Sequence, residues 1–277
     1  MQLSRIGCAV ITAHVVAGLT PLTARAQLPL EPAKNSGQAI TAAYEGWFRN
    51  ADGTVSLLVG YFNRNMQQTL DIPVGPNNRV EPGGPDLGQP THFLPRRQWG
   101  VFTIQVPADV GDGKVTWTLV ANNKMTEIPM GLDPLWEVEP LRDAAQGNTP
   151  PTLRFSVDGS PQQGPPDGID AEYTATTSAP LTLTVWATDD AVTDSNRKPL
   201  ESAPVRLVWS KYRGPGEVTF HETEPAVGVE EGLATTTATF STAGEYLLRL
   251  QANDVSRDGG GGSQCCWTNA HVRVTVQ

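Results

Sequence analysis

Residues 238–277 read ATFSTAGEYLLRLQANDVSRDGGGGSQCCWTNAHVRVTVQ. Apolar residues recur at every second position in two runs of this stretch, Tyr246–Ala252 and Val272–Val276. A period of two is typical of a β-strand with one buried face, whereas a helix repeats at about 3.6 residues. We therefore predict two antiparallel strands joined by a glycine-rich loop.

The rest of the chain has the composition of a turn-rich β protein. Its 277 residues include 23 Pro and 27 Gly, and no long helical period is present. A chain of this length can hold two ordinary domains, each with its own apolar core. We predict an all-β protein of two β-sandwich domains, the C-terminal one Ig-like, with seven strands in a Greek key.

The N-terminus has the order of a secretory signal. Arg5 is followed by an apolar run, Ile6–Leu19, and then by Ala24-Arg25-Ala26. The apolar run is shorter than the about 20 residues that span a bilayer. We expect residues 1–26 to be removed, and the mature protein to be extracytoplasmic, either periplasmic or secreted, with no integral membrane segment.

Charge and cysteine content exclude two classes of protein. Without Arg5 and Arg25 the mature chain keeps 18 basic and 29 acidic residues, a net charge of −11. Nucleic acid is excluded as a partner because phosphate contacts require a basic surface. Cys8 leaves with the signal, so only Cys265 and Cys266 remain, which is too few for the disulfide framework of a small secreted domain.

Composition also divides the mature chain. We expect a flexible leader at 27–38, an N-terminal sandwich at 39–138, a proline-containing linker at 139–151 and the Ig-like sandwich at 152–277. In the first sandwich the predicted strands are Ile40–Arg49, Thr54–Arg64, Gln68–Val74, Trp99–Val106, Lys114–Ala121 and Lys124–Met130. In the second they are A (Leu153–Val157), B (Leu181–Thr188), C (Val205–Ser210), D (Glu217–Phe220), E (Leu233–Phe240), F (Tyr246–Asn253) and G (Ala270–Val276).

The second sandwich resembles a known family. PVRLVWSKYRGPGEVTF (204–220) and ATFSTAGEYLLRLQAND (238–254) resemble the bacterial relatives of the polycystic-kidney-disease and egg-jelly-receptor Ig-like repeats. Trp209 stands where that group has its strand-C tryptophan, and Tyr246 stands at its tyrosine corner. The Trp-Asp-Phe-Gly-Asp-Gly signature is absent, so the resemblance is one of architecture. It implies a spacer, adhesion module or enzyme appendage on an exported protein, without catalysis.

The period of two also predicts which side chains of the second sandwich face its core. These are Leu153, Phe155, Val157, Leu181, Leu183, Val185, Val205, Leu207, Trp209, Val218, Phe220, Tyr246, Leu248, Leu250, Val272, Val274 and Val276.

A long basic segment interrupts the first sandwich. Residues 75–98, rich in Pro and Gly, carry Arg79, His92, Arg96 and Arg97, with Trp99 just beyond. One interpretation is a binding loop for an anionic group such as the carboxylate of a glycan, which an arginine would hold in a forked contact. The other places the arginines on the surface beside local acids and Trp99 in the core. The second arrangement is the more common one for such residues.

Acidic residues cluster at one predicted end of the second sandwich. The B–C loop carries Asp189, Asp190 and Asp194, and the F–G loop carries Asp254. Oxygen ligands from two loops suit Ca²⁺, which takes 6–8 of them. A calcium ion at the domain junction is therefore one hypothesis. A solvated acidic loop is the more common arrangement, since no spaced calcium-loop motif is present.

Cys265 and Cys266 are adjacent. Export favours their oxidation, and we expect a vicinal disulfide. The alternative is a thiolate metal site completed by His271. Six residues of extended strand span about 20 Å, which is far longer than metal–ligand bonds, so this alternative requires the strand to break.

No catalytic motif is present in the chain: G-x-S-x-G, H-E-x-x-H and a phosphate-binding glycine loop are all missing. We predict a noncatalytic exported binding, adhesion or assembly module, whose partner is a protein or a polysaccharide. The alternative is a periplasmic or secreted accessory of a hydrolase or redox enzyme, with the basic segment or the cysteine pair as its working surface.

Overall fold

The computed structural model describes residues 33–108, 114–143, 147–192, 205–229, 231–254 and 265–277. Apart from one short 3-10 helix at Pro134–Trp136, every regular element in these ranges is a strand. The all-β class is therefore confirmed. The strands are β1 (Ile40–Arg49), β2 (Val55–Asn63), β3 (Leu70–Asp71), β4 (Asn78–Glu81), β5 (His92–Phe93), β6 (Arg96–Val106), β7 (Val115–Ala121), β8 (Lys124–Met130), β9 (Thr152–Arg154), β10 (Gln162–Gln163), β11 (Ala171–Ala175), β12 (Leu181–Thr188), β13 (Arg206–Arg213), β14 (Val218–Phe220), β15 (Leu233–Phe240), β16 (Gly244–Asn253) and β17 (Trp267–Val276).

The N-terminal strands form two three-stranded sheets, ordered β1-β2-β6 and β4-β7-β8, and β3 pairs with β5. The first two predicted strands form a hairpin, in which the turn at Asp52-Gly53 joins β1 to β2. Between the sheets lies an apolar cluster that includes Trp47, Phe93 and Trp117. These elements form the first sandwich. Strand prediction was wrong at Gln68–Val74, where only Leu70–Asp71 is a strand.

The C-terminal strands form a five-stranded sheet, β10-β9-β12-β15-β14, and a four-stranded sheet, β11-β17-β16-β13. Each predicted strand from A to G has a counterpart, from β9 for A to β17 for G. Two further strands, β10 and β11, were not predicted, and β11 runs parallel to β17. The tyrosine corner is present, since the Tyr246 hydroxyl donates to the Thr242 carbonyl at 2.8 Å. These sheets form the second, Ig-like sandwich.

The predicted core of the second sandwich is largely correct. Trp209, Leu248 and Val274 are all buried between its two sheets. Val157 is an exception, because 75% of its surface is exposed. Strand β9 ends at Arg154, so alternation no longer determines the direction of side chains beyond it.

The β13-β16-β17 sheet is buried on both faces. Its inner face belongs to the second sandwich's core, and its outer face carries Arg249, Trp267 and His271, which are also buried. Residues of the first sandwich cover this outer face, as the hydrogen bonds from Arg249 to β6 show. Ala33–Gln277 accordingly forms one compact unit. None of the helices in the described ranges has the length and apolar character needed to cross a membrane.

Candidate functional site

Two β-bulges lie side by side in the first sandwich. In β1, Glu45 is an extra residue between the pairs Tyr44–Val59 and Gly46–Leu58. In β6, three residues, 99–101, face a single residue of β2, Gly60. A bulge leaves backbone groups outside the ladder and turns them toward a neighbour. Here the freed groups of β6 face the second sandwich.

Glu45 connects the two bulges. Its carboxylate accepts a hydrogen bond from the backbone N–H of Gly100 at 2.8 Å and one from Nη2 of Arg97 at 2.6 Å. A Cβ at Gly60 would overlap the same carboxylate, so glycine is required there. Burial raises the pKa of Glu45 to about 7, while the charge of Arg97 acts in the opposite direction. As the pH falls through neutrality, Glu45 therefore takes up a proton and no longer neutralises the charge of Arg97.

Arg97 also stacks on an aromatic ring. Its guanidinium carbon lies 3.9 Å from the centre of the Trp99 ring, within the range of a cation–π contact. Trp99 is half-buried rather than in the core. The carboxylate of Glu45 and the ring of Trp99 thus hold the Arg97 side chain in one orientation.

Arg249 of β16 docks the second sandwich onto the β6 bulge. It donates to Oε1 of Gln98 at 2.9 Å, to the Trp99 carbonyl at 3.3 Å and to Oδ1 of Asn269 at 2.7 Å. Asn269 in turn donates to the Gly100 carbonyl at 2.9 Å. The carbonyls that the bulge removes from the β2–β6 ladder are therefore satisfied by two buried side chains of the other sandwich.

A cleft opens beside this docking point. It measures about 150 Å³ and is lined by three arginines, Arg97, Arg206 and Arg249, together with polar side chains and two apolar ones. No carboxylate is among the lining residues. Arg206 is exposed at the rim and pairs in a forked contact with Glu224, at 2.6 and 3.0 Å. We call this feature the arginine cleft.

The structure brings together only part of the predicted basic site. Arg97 and Trp99 are in contact, but Arg79 lies on β4 and pairs with Glu81 at 3.0 Å. His92 lies on β5 beside Asp71 at 2.9 Å. Arg96 is exposed at the start of β6, where its Nη1 lies 2.6 Å from Sδ of Met66. These three residues do not line the arginine cleft.

Arg206 and Arg249 were missed at the sequence level. Both lie on strands of the second sandwich, and alternation assigned Arg249 to the solvent-facing side of strand F. The available signal was a single arginine set among leucines in YLLRLQA. An arginine among leucines is the pattern expected when the outer face of a strand is covered by a second layer of structure rather than by water.

Three of the predicted acidic residues, Asp189, Asp190 and Asp254, lie at the end of the second sandwich where the linker arrives. Asp190 accepts hydrogen bonds from the backbone and hydroxyl of Thr149, at 3.2 and 2.7 Å. Asp254 is buried and accepts from Nδ2 of Asn148 at 2.6 Å. Burial raises the pKa of Asp189 to about 6, and the charges of Asp254 and Asp190 add to this effect.

Asp194 lies outside the described residues. Among the residues that are described, no group of three or more His, Cys, Asp or Glu side chains is placed to hold a metal. The calcium hypothesis, which includes Asp194, stays a prediction.

Cys265 and Cys266 are joined by a disulfide in the structure and are both buried. Their sulfur atoms lie 3.7 and 3.4 Å from the carbonyl oxygen of Asn148. Asn148 therefore connects the linker to the cysteine pair through its backbone and to Asp254 through its side chain.

His271 lies on the covered face of β17, next to the Tyr212 ring at 4.5 Å. Burial lowers the pKa of His271 to about 3, and the charges of Arg249 and Arg213 act in the same direction. The ring is therefore neutral in the folded protein at any pH near neutrality. Asp170, which accepts a hydrogen bond from the His271 backbone, has a pKa raised to about 6 by burial.

We expect acid to weaken the fold through His271. As the pH falls from about 6.5 toward about 3, the unfolded chain binds a proton that the folded chain does not, so the free energy of unfolding should fall by about 1.4 kcal/mol per pH unit from this residue. Asp170 changes the stability with pH in the opposite direction, because its pKa is raised in the folded protein. Its contribution cancels when the wild type is compared with a variant that changes only His271.

Urea unfolding of the wild type and of His271→Gln, from neutral pH down to about pH 4, checks this dependence. The stability difference between the two proteins should shrink as the medium becomes more acidic. A difference that is constant across this range would contradict the prediction.

Comparison with known proteins gives no family for this chain. No family model matches it, and no curated protein matches it. Similar solved structures include the D00-D0 domain of intimin, with 11% identity, a TM-score of 0.27 and coverage of 86% of this chain and 100% of that one.

Two further structures are similar at the same distant level. The Yersinia pseudotuberculosis adhesin InvE has 11% identity, a TM-score of 0.24 and coverage of 87% and 59%. Domains 4 and 5 of the S-layer protein SbsC have 12% identity, a TM-score of 0.22 and coverage of 59% and 65%. With TM-scores this low, the likenesses carry no argument about function, and the fold class rests on the strands described above.

Proposed function

We propose that this chain is a noncatalytic extracytoplasmic binding module, and that the arginine cleft holds a carboxylate of an acidic polysaccharide. The observation that carries the proposal is the lining of the cleft, which contains three guanidinium groups. Their partner carboxylates, Glu45 for Arg97 and Glu224 for Arg206, lie outside the lining. A guanidinium offers a planar fork of N–H donors that matches a carboxylate. The signal-like residues 1–26 support export.

The chemistry of the cleft favours binding over catalysis. Guanidinium groups stay protonated at all physiological pH values, and the amides of Gln98 and Gln251 do not act as general acids or bases. Such groups hold an anion by charge and hydrogen bonds. Glu45 and Trp99 already hold the Arg97 side chain in one orientation. Binding of a ligand therefore costs less side-chain conformational entropy at this position.

Loss of one rim arginine should weaken binding. We expect Arg206→Ala to reduce affinity for polygalacturonate about tenfold, because one charge-assisted contact is lost from a partly exposed position. Affinity electrophoresis of the mature protein in gels with polygalacturonate, and with neutral dextran as the reference, measures the effect. Added salt should weaken retention.

Arg273→Ala provides the matched control. Arg273 is also a partly exposed arginine paired with a glutamate, Glu172 at 2.6 Å, but it does not line the cleft. Its loss should leave retention unchanged. Equal retention in both gels, or equal effects of the two substitutions, would refute the proposed function.

A further inference from the structure

A buried carboxylate lies next to the arginine cleft without being part of its lining. Arg97 lines the cleft with 25% of its side chain exposed, whereas the side chain of Glu45 is only 1% exposed. The two charged groups are 2.6 Å apart, measured from Nη2 of Arg97 to Oε1 of Glu45. A ligand in the cleft therefore meets the guanidinium of Arg97 but not the carboxylate that neutralises it.

Three neighbouring strands surround the Glu45 carboxylate. On β6, Arg97 and the backbone N–H of Gly100 donate hydrogen bonds to it, at 2.6 and 2.8 Å. On β16, Arg249 acts on it through its positive charge. On β2, the facing residue is Gly60, whose lack of a side chain leaves room for Oε1. In the described part of the chain, the charged groups that act on Glu45 are thus two arginines of the cleft.

Burial and the two arginines have opposite effects on the ionisation of Glu45. Removal from water favours the neutral acid, and the charges of Arg97 and Arg249 favour the carboxylate. Burial has the larger effect, so the pKa of Glu45 is raised to about 7. The carboxyl group therefore changes its charge between about pH 6 and pH 8, a range in which each guanidinium keeps its own charge.

We propose, on the basis of the carboxylate binding proposed above, that Glu45 regulates the arginine cleft with pH, so that the cleft binds a carboxylate more tightly in mildly acidic medium. Ionised Glu45 lies next to Arg97, and its negative charge repels the carboxylate of a ligand. Protonation removes that charge. The hydrogen bond from Gly100 persists, because a protonated carboxyl group still has an oxygen that accepts.

Ligand binding and protonation of Glu45 are linked in both directions. If protonation of Glu45 strengthens ligand binding by some factor, the bound ligand must favour protonation of Glu45 by the same factor. A carboxylate in the cleft therefore raises the pKa of Glu45. This effect can be observed on the wild type without any substitution.

Affinity electrophoresis of the mature protein in polygalacturonate gels tests the pH dependence. The carboxyl groups of the polymer have pKa values of about 4, so its charge is constant from pH 6 to pH 8. Dextran gels at each pH correct for changes in the charge of the protein. We expect the wild type to bind polygalacturonate about fivefold more tightly at pH 6 than at pH 8.

A spectroscopic measurement on the wild type follows Glu45 itself. In ¹³C spectra its side-chain carboxyl resonance should titrate near pH 7. Addition of trigalacturonate should move the midpoint of this titration to a higher pH. A midpoint that bound trigalacturonate leaves unchanged would overturn the inference, whether or not any variant folds.

Two glutamine variants locate the effect. Glu45→Gln should bind with the same affinity at both pH values, because an amide does not titrate. Glu224→Gln is the matched control, since Glu224 also pairs with an arginine of the cleft, Arg206 at 2.6 Å, and lies outside the lining. The hydrogen bond from Arg206 lowers the pKa of Glu224, so this carboxylate stays ionised over the whole range. Its loss should leave the fivefold ratio unchanged.

The outcomes separate this inference from the proposed function. Equal retention in polygalacturonate and dextran gels at both pH values would refute the proposed function, and this inference with it. Specific retention with equal wild-type affinities at pH 6 and pH 8, or a fivefold ratio that Glu45→Gln retains, would overturn the inference alone.

Discussion

Replacing Gly100 with alanine should lower the free energy of unfolding by about 3 kcal/mol or more. Gly100 has a φ of +47°, a conformation that L side chains rarely adopt. A Cβ at this position would also overlap the ring of Trp267, which is buried on the covered face of β17. The backbone of β6 cannot move away without breaking the contacts of Gly100 with Glu45 and Asn269.

Gly53→Ala separates backbone strain from steric overlap. Gly53 also has a positive φ, +86°, but a Cβ there would meet no atom within 4 Å. Its replacement should therefore cost only the strain, about 1 kcal/mol. Urea unfolding of both variants and of the wild type measures the two losses. Equal losses would mean that the contact between Gly100 and Trp267 does not hold the sandwiches together.

A double-mutant cycle tests the same contact directly. In a Trp267→Ala background the ring is gone, so adding Gly100→Ala should cost no more than Gly53→Ala does. If Gly100→Ala still lowered the free energy of unfolding by about 3 kcal/mol in that background, the loss would not come from overlap with the Trp267 ring.

The sequence predicted the inner core of the second sandwich because alternation has a simple physical origin. Side chains at every second position of a strand share one face, and in β12, β16 and β17 that face is apolar. The positions of Leu183, Leu248 and Val274 followed from this pattern alone. Burial of these residues depends on contacts within one sandwich.

The outer face of the same sheet could not be predicted in this way. Arg249 and His271 lie in the opposite phase, which is the solvent side for an isolated sandwich, yet both are buried. Their burial depends on the β6 bulge, a feature of a different domain that no local pattern encodes. One signal was present, since residues 267–272, WTNAHV, contain no Lys, Arg, Asp or Glu. A strand open to solvent on one face is rarely so poor in charge.

The basic segment was only partly predictable for a related reason. Its length and Pro and Gly content indicated a functional or disordered loop, but in the structure it contains two short strands, β4 and β5, and the start of β6. Buried amides hold it in place. Asn78 donates to the carbonyls of Ile72 and Pro90 and accepts from Trp117, at 2.9, 2.7 and 2.9 Å. Such long-range polar contacts leave no periodic signal in a sequence.

Replacing Arg249 with methionine should lower the free energy of unfolding by about 3 kcal/mol. Methionine fills much of the same volume but donates no hydrogen bond. The side-chain oxygen of Asn269 would then lose its buried donor, and the Trp99 carbonyl would keep only the bond from Nδ2 of Asn269, at 3.2 Å. Leaving buried acceptors unsatisfied is costly because each has given up its water. Urea unfolding measures the loss, and Arg273→Met, at an exposed position, should change stability by less than about 0.5 kcal/mol.

Asn269 allows the role of Arg249 to be separated from general loss of packing. The two side chains are hydrogen-bonded to each other and donate to adjacent carbonyls of the bulge, Arg249 to Trp99 and Asn269 to Gly100. We call this pair the clamp. If they act as one clamp, the loss from Arg249→Met combined with Asn269→Ala should be smaller than the sum of the single losses by about 1 kcal/mol. Strict additivity would contradict the clamp.

Because Arg249 also lines the arginine cleft, Arg249→Met should abolish the difference in retention between polygalacturonate and dextran, whereas Asn269→Ala, which removes no charge, should retain most of it.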